Sequence, residues 1–132
     1  LNIIDKKVIF HGPVFEIEKK ISLIDKSDVF ILSSKREGMP QSLVEAMARE
    51  KIVISSDTLA GKDLVEDNKN GYLFKIGDSK GLSKKIILSL EKNSKNDEIR
   101  KNARESVKRF SWKLLSDKTD KIIKEEIKNY KK

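Results

Sequence analysis

The sequence predicts an α/β fold in which helices flank a parallel sheet and the chain ends in a helical segment. Three observations lead there. Two short runs, "VFIL" from Val29 and "IVIS" from Ile52, lack polar alternation, as strands covered on both faces do. Between them Leu43, Val44, Met47 and Ala48 recur at intervals of three and four, which marks a helix with an apolar stripe. Strand, covering helix and strand in that order form a βαβ crossover, so the two strands run parallel.

The other elements follow in chain order. "KVIFHG", Lys7 to Gly12, reads as a first strand, and Ile17, Ile21 and Ile24 stripe the helix after it, ahead of the strand in "DVFILSS". Beyond "IVISSD" a short helix is expected from about Gly61 to Glu66, then a turn at Asn70-Gly71 and another strand. Asp78 suits the N-cap of a helix carrying Leu82, Ile86, Ile87 and Leu90. The polar segment "EKNSKNDE" separates it from a further helix, and Leu115, Thr119, Ile122 and Ile127 stripe the last one. With no internal repeat and no Pro/Ser-rich linker, residues 1–132 read as a single α/β domain. The chain starts at Leu and enters a strand-like run within a few residues, so a piece of a longer protein is expected.

Composition narrows the function classes. The formal net charge is +8, from 29 Lys and Arg against 21 Asp and Glu, but the two signs are interspersed, which favours a mixed solvated surface over a nucleic-acid tail. The basic surplus still favours an anionic ligand. No recognition-helix, RNA-binding aromatic or zinc pattern is present, so nucleic acid is not an expected partner. There is no cysteine, hence no disulfide framework or thiolate metal site, and the single His11 leaves metal ligation to carboxylates. No run approaches the roughly 20 apolar residues that span a bilayer. A cytoplasmic protein is expected.

The chemistry concentrates in "SSKREGMPQSLVEAMAREK", Ser33 to Lys51, where Glu37 and Glu45 stand eight positions apart. If "DVFILSS" is a strand, Glu37 lies in the loop leaving its C-terminal end, where open parallel sheets bind ligands. Gly38 lets backbone approach a ligand closely, and Pro40 suits the first turn of the next helix, where a missing N–H costs nothing. The amides of Gln41 and Ser42 then point out of a helix N-terminus toward a phosphate or sugar hydroxyls. Glu45, about one turn further on, can accept two hydrogen bonds from a vicinal diol. The ordinary reading of two glutamates at this spacing is a pair of solvated surface acids.

The ordered set "SSKREGMPQSLVEAMA" and "GKDLVEDNKNGYLFKIGD" resembles the retaining glycosyltransferases of family 4, from about Val8 to Ser111-Trp112. These are GT-B enzymes of two Rossmann-like domains, and the chain is similar to part of their C-terminal, donor-binding domain. The resemblance implies transfer of a hexosyl unit from a nucleoside-diphosphate-sugar to a sugar, lipid or glycan hydroxyl. Glu37 is then the catalytic residue beside the donor sugar, Glu45 holds the ribose hydroxyls, and the turn of Gly38, Met39, Pro40 and Gln41 supplies backbone amides to the sugar and diphosphate. No cofactor beyond the donor substrate and no protein metal site is implied. The two acids are expected to open on one hollow at the edge of the sheet.

The resemblance also implies an N-terminal domain in cis and an earlier half of the donor domain with basic diphosphate ligands, so the chain alone is expected to be inactive. In a Rossmann strand order the absent strands would sit between "KVIFHG" and "DVFILSS". Glu50 and Ile52 stand where the family usually has Gly and Pro, and a left-handed helix end costs Glu roughly 1 kcal/mol, so a different termination is expected there. The alternative reading is a non-catalytic nucleotide-sugar-binding or scaffold module of the same fold. His11 is read as a turn residue rather than a nucleobase contact, and Lys35 and Arg36 as hydrated rather than phosphate-bound. Phe110 and Trp112 are expected to pin the last helix to the domain rather than to stack on sugar. The last helix bears Lys113, Lys118, Lys121, Lys124 and Lys128, diluted by acids, which favours a solvated face over peripheral membrane contact.

Overall fold

In the computed structural model, which describes residues 8–130, three parallel strands lie in the order of the chain. The elements are α1 (Ile17–Lys26), β1 (Val29–Leu32), α2 (Gln41–Ala48), β2 (Ile52–Ser56), α3 (Leu59–Leu64), β3 (Tyr72–Phe74), α4 (Ser79–Leu90), α5 (Ser94–Val107), a 3-10 turn (Lys108–Phe110) and α6 (Trp112–Tyr130). Val29 pairs with Ile52 and Ile54 with Tyr72, so β2 is central and every one of its residues is buried. The two-residue period of the strand sorts the core. Val53 faces Leu43, Met47, Leu64, Val65 and Ala103, whereas Ile52 and Ile54 face Phe74, Ile99 and the half-buried Leu82 and Ile86. Helix α2 therefore covers one face and α4 the other, while α5 contributes Ile99 to one side and Ala103 to the other. The predicted class holds: α/β, with a parallel sheet flanked by helices and a long C-terminal helix.

Packing fixes α2 firmly. Leu43, Ala46 and Met47 have no exposed surface, and burying a Leu or Met side chain is worth about 1.5–3 kcal/mol. Ala46 takes the core position expected of Ala48, which is exposed. On the outer side α1 is clamped to α2 by a bidentate Arg49–Asp25 pair and by Lys20 on Glu45. Arg49 holds the Asp25 carboxyl below its usual range, chiefly through that hydrogen bonding.

Several local expectations change. Val8 to Gly12 form no strand, and Val8, Ile9 and Phe10 are exposed; Lys7 lies outside the described residues. A strand persists only where its backbone finds a partner, and among the described residues β1 is the sheet's edge, bonded to β2 alone. For the same reason β1 is only half covered, with Ile31 41% exposed, rather than buried on both faces.

Helix α3 begins two residues before the expected start because the Thr58 hydroxyl accepts from the Gly61 amide. Asp78 caps α4 in the same way. The break after α4 is shorter than "EKNSKNDE", since Asn93 caps α5 directly. Ile87 and Leu90 point away from the core that takes Leu82 and Ile86. Glu50 does adopt the left-handed conformation, at φ 56°, and its carboxylate meets Arg104 at 2.7 Å. The helix thus ends as a Gly-terminated one would, with an ion pair offsetting part of the strain. Phe110 packs against the core, but Trp112 is 84% exposed and no residue of α6 is buried, so Trp112 does not pin that helix.

Candidate functional site

The loops leaving the three strands converge at one end of the sheet. A hollow of about 630 Å³ lies between them, lined by Lys35, Arg36, Glu37 and Gly38 after β1, Asp57, Thr58 and Leu59 after β2, and Ile76 after β3. This is the carboxyl end of a parallel sheet, the position from which such folds address ligands. Asp57 secures two of the walls: its amide donates to the Phe74 carbonyl and its Oδ1 accepts from the Ile76 amide, each at 2.9 Å. Glu37 is half-buried in the loop and its Oε1 accepts from the Ser34 hydroxyl at 2.5 Å.

The remaining predicted residues sit on the other side of the same loop. Met39, Gln41 and Glu45 line a second hollow of about 320 Å³ with Val44, Phe110, Trp112 and Leu115. Glu37 and Glu45 therefore do not share a single hollow. On that flank Lys20 Nζ meets Glu45 Oε1 at 2.7 Å and holds the carboxylate toward α1. Both side chains stay roughly 40% exposed, so this pair contributes at most about 1 kcal/mol and yields readily to a competing ligand. Pro40 is buried at the junction and precedes α2 as its N-cap rather than occupying its first turn. It accepts from the amides of Leu43 and Val44 and offers no side-chain oxygen to cap the helix. The first amides of an α-helix have no partner within it, so those of Gln41 and Ser42 are donors presented beside the loop.

The structure thus joins Glu37 and Gly38 in one hollow and Met39, Gln41 and Glu45 in the next. Lys35 and Arg36 line the first, whereas exposed His11 lines neither. Sequence reasoning missed Ser34, Asp57, Thr58 and Lys20. Only Ser34 carried a local signal, being a hydroxyl three positions before Glu37; Lys20 lies 25 positions from Glu45. Among the described residues, no three His, Asp or Glu side chains converge as a metal site, and no helix is long and apolar enough to cross a membrane.

A parallel sheet with helices on both faces, and a loop at its carboxyl end that opens a helix, define a Rossmann-like domain of the GT-B kind. Residues 3–106 match the family described as glycosyl transferases group 1, and the chain belongs to that family. An undecaprenol-linked glycan α-1,4-N-acetyl-D-galactosaminyltransferase of Campylobacter jejuni is 35% identical over 124 residues, covering 93% of this chain and 33% of that protein. The sucrose-phosphate synthase of Thermosynechococcus elongatus superposes with a TM-score of 0.86 at 22% identity, over 96% of this chain and 32% of its own. Anabaena HepE, solved in complex with UDP, superposes with a TM-score of 0.73 at 26% identity, over 78% of this chain and 29% of its own. The chain spans about a fifth to a third of the length of the curated relatives it matches.

Proposed function

We propose that this chain is the donor-binding portion of a retaining family-4 glycosyltransferase, which moves a hexosyl unit from a nucleoside-diphosphate-sugar to a hydroxyl acceptor. One observation carries the reading: a loop at the carboxyl end of the sheet holds Glu37 in a hollow and leads directly into a helix with no side-chain cap. Glu37 orients the sugar and stabilises positive charge that develops at its anomeric carbon. The amides of Gln41 and Ser42 take up charge on the departing diphosphate, in the field of the helix N-terminus. Glu45 exchanges Lys20 for the ribose diol on the far side of the loop, so Gly38 to Gln41 form a saddle with the hexose and the pentose on its two flanks.

The acceptor and the rest of the cleft come from a further domain in cis, without which the reacting groups cannot be brought together. In this reading the enzyme is cytoplasmic and α6 makes any membrane contact peripherally. Turnover of the full-length protein with UDP-, GDP- and ADP-sugars, reading transfer and hydrolysis separately, tests the proposal. Transfer with one donor, nearly abolished in Glu37→Ala, supports it. Donor binding without turnover would favour the non-catalytic module.

A further inference from the structure

We infer that Ser34, anchored by Ser56, is a positioning residue for Glu37. The inference rests on the role proposed for Glu37 and adds two residues to it. Ser56 ends β2, is 1% exposed, and is held in the sheet by its pairing with Phe74. Its hydroxyl donates to the Ser34 carbonyl across 2.5 Å, just past Leu32–Ser55, the last paired position of β1 and β2. A side chain thus continues the inter-strand ladder where backbone pairing has stopped, and it fixes the first residues of the ligand loop. The Ser34 hydroxyl then donates to Glu37 Oε1, also at 2.5 Å.

The connection runs from the most buried strand to the carboxylate through two hydroxyls. A hydroxyl has a single proton to donate. Each proton in this relay is committed, Ser56 to the loop backbone and Ser34 to the acid. Among the described residues the hydrogen bond to Glu37 falls on Oε1, which leaves Oε2 for a substrate hydroxyl. A free glutamate on a loop would lose considerable rotamer freedom on meeting substrate, and a carboxylate already held by a charged hydrogen bond loses less. Preorganisation of this kind acts on turnover.

The test uses the full-length protein with its preferred donor. Ser34→Ala is expected to lower kcat roughly tenfold or more, the scale of one hydrogen bond to a charged group, with the melting temperature unchanged. Ser34→Thr, which keeps the hydroxyl, is expected to restore most of the rate, and Ser56→Ala to lower it in the same direction. In a Glu37→Gln background, Ser34→Ala is expected to produce much less further loss, because its partner carboxylate is gone. Wild-type turnover of Ser34→Ala, or an equal loss in both backgrounds, would overturn the positioning role while leaving that of Glu37 intact. Full activity of Glu37→Ala would overturn both.

Discussion

Substituting Gly38 by alanine separates what the fold requires of the ligand loop from what a donor requires of it. A Cβ built at Gly38 meets nothing within 4 Å beyond its two chain neighbours, and the residue is not among those with positive φ. Alanine is therefore compatible with its backbone and restricts the unfolded chain more than glycine does, so stability is expected to rise by about 0.4–1 kcal/mol. At Gly71 the opposite holds. A Cβ there lies 2.7 Å from Val53 Cγ2 and 3.0 Å from both the Val53 carbonyl and Val65 Cγ1, and both valines are fully buried. Gly71→Ala has to push the central strand aside, at a cost of about 1–3 kcal/mol. Urea denaturation of the two variants gives the comparison directly. In the full-length protein the Gly38 methyl stands in the hollow assigned to the sugar, and a misfit of about 1–3 kcal/mol corresponds to roughly 5- to 150-fold weaker donor binding by calorimetry. A stability loss in Gly38→Ala would refute the open space at that position. Unchanged donor affinity in a stable Gly38→Ala would refute the saddle.

Two further variants probe the flank of the loop and the core. Glu45→Ala is expected to weaken the donor by about 1–3 kcal/mol, through loss of charged hydrogen bonds, yet to change stability by no more than about 1 kcal/mol, since only the half-exposed Lys20 pair is lost. Calorimetry and urea denaturation read the two effects separately, and unchanged donor affinity contradicts the ribose role. Tyr72 is 2% exposed and donates to Asn96 Oδ1 at 2.7 Å; burial, aided by the charges of Glu91 and Asp67, pushes its phenol above the ordinary value. The folded state therefore favours the neutral ring. Its contribution is full below the unfolded value near pH 10 and is lost as pH rises through the folded one. Tyr72→Phe is expected to cost about 1–3 kcal/mol at neutral pH by leaving Asn96 Oδ1 without its donor, and its deficit against wild type is expected to shrink above pH 10. A deficit independent of pH would contradict the buried phenol.

How much was legible in the sequence depended on whether a residue's neighbours were local. The β1–α2–β2 crossover was readable because burial of β2 on both faces and the spacing of Leu43 and Met47 are properties of short segments. Asp78 could be assigned as a cap because its partner amide is three residues away. Placement of the loop that carries Glu37 followed from strand order alone. What stayed hidden depended on partners remote in the chain. Lys20 reaches Glu45 from α1, Asp57 reaches Ile76 from the next loop, and Ser56 reaches Ser34 across the sheet. The run at Val8 to Phe10 failed as a strand for a related reason: its composition suits a strand, but pairing is a property of two segments.

Glu50 shows how a residue's neighbours in the fold can override its local backbone preference. Glycine at that position would reach the left-handed region freely, and glutamate would be expected to avoid it. Yet α2 has to end there, because Ile52 must enter the sheet opposite Val29 only two residues later. The Lys51 amide accordingly bonds back to the Ala46 carbonyl, and Glu50 takes φ 56° between them. Tertiary register thus outweighs a local preference of roughly 1 kcal/mol. The same fixed register places the start of α2, a helix of eight residues, beside the loop that carries Glu37. The helix that covers the sheet thus stops at the end of β2 opposite the one at which Ser56 meets Ser34.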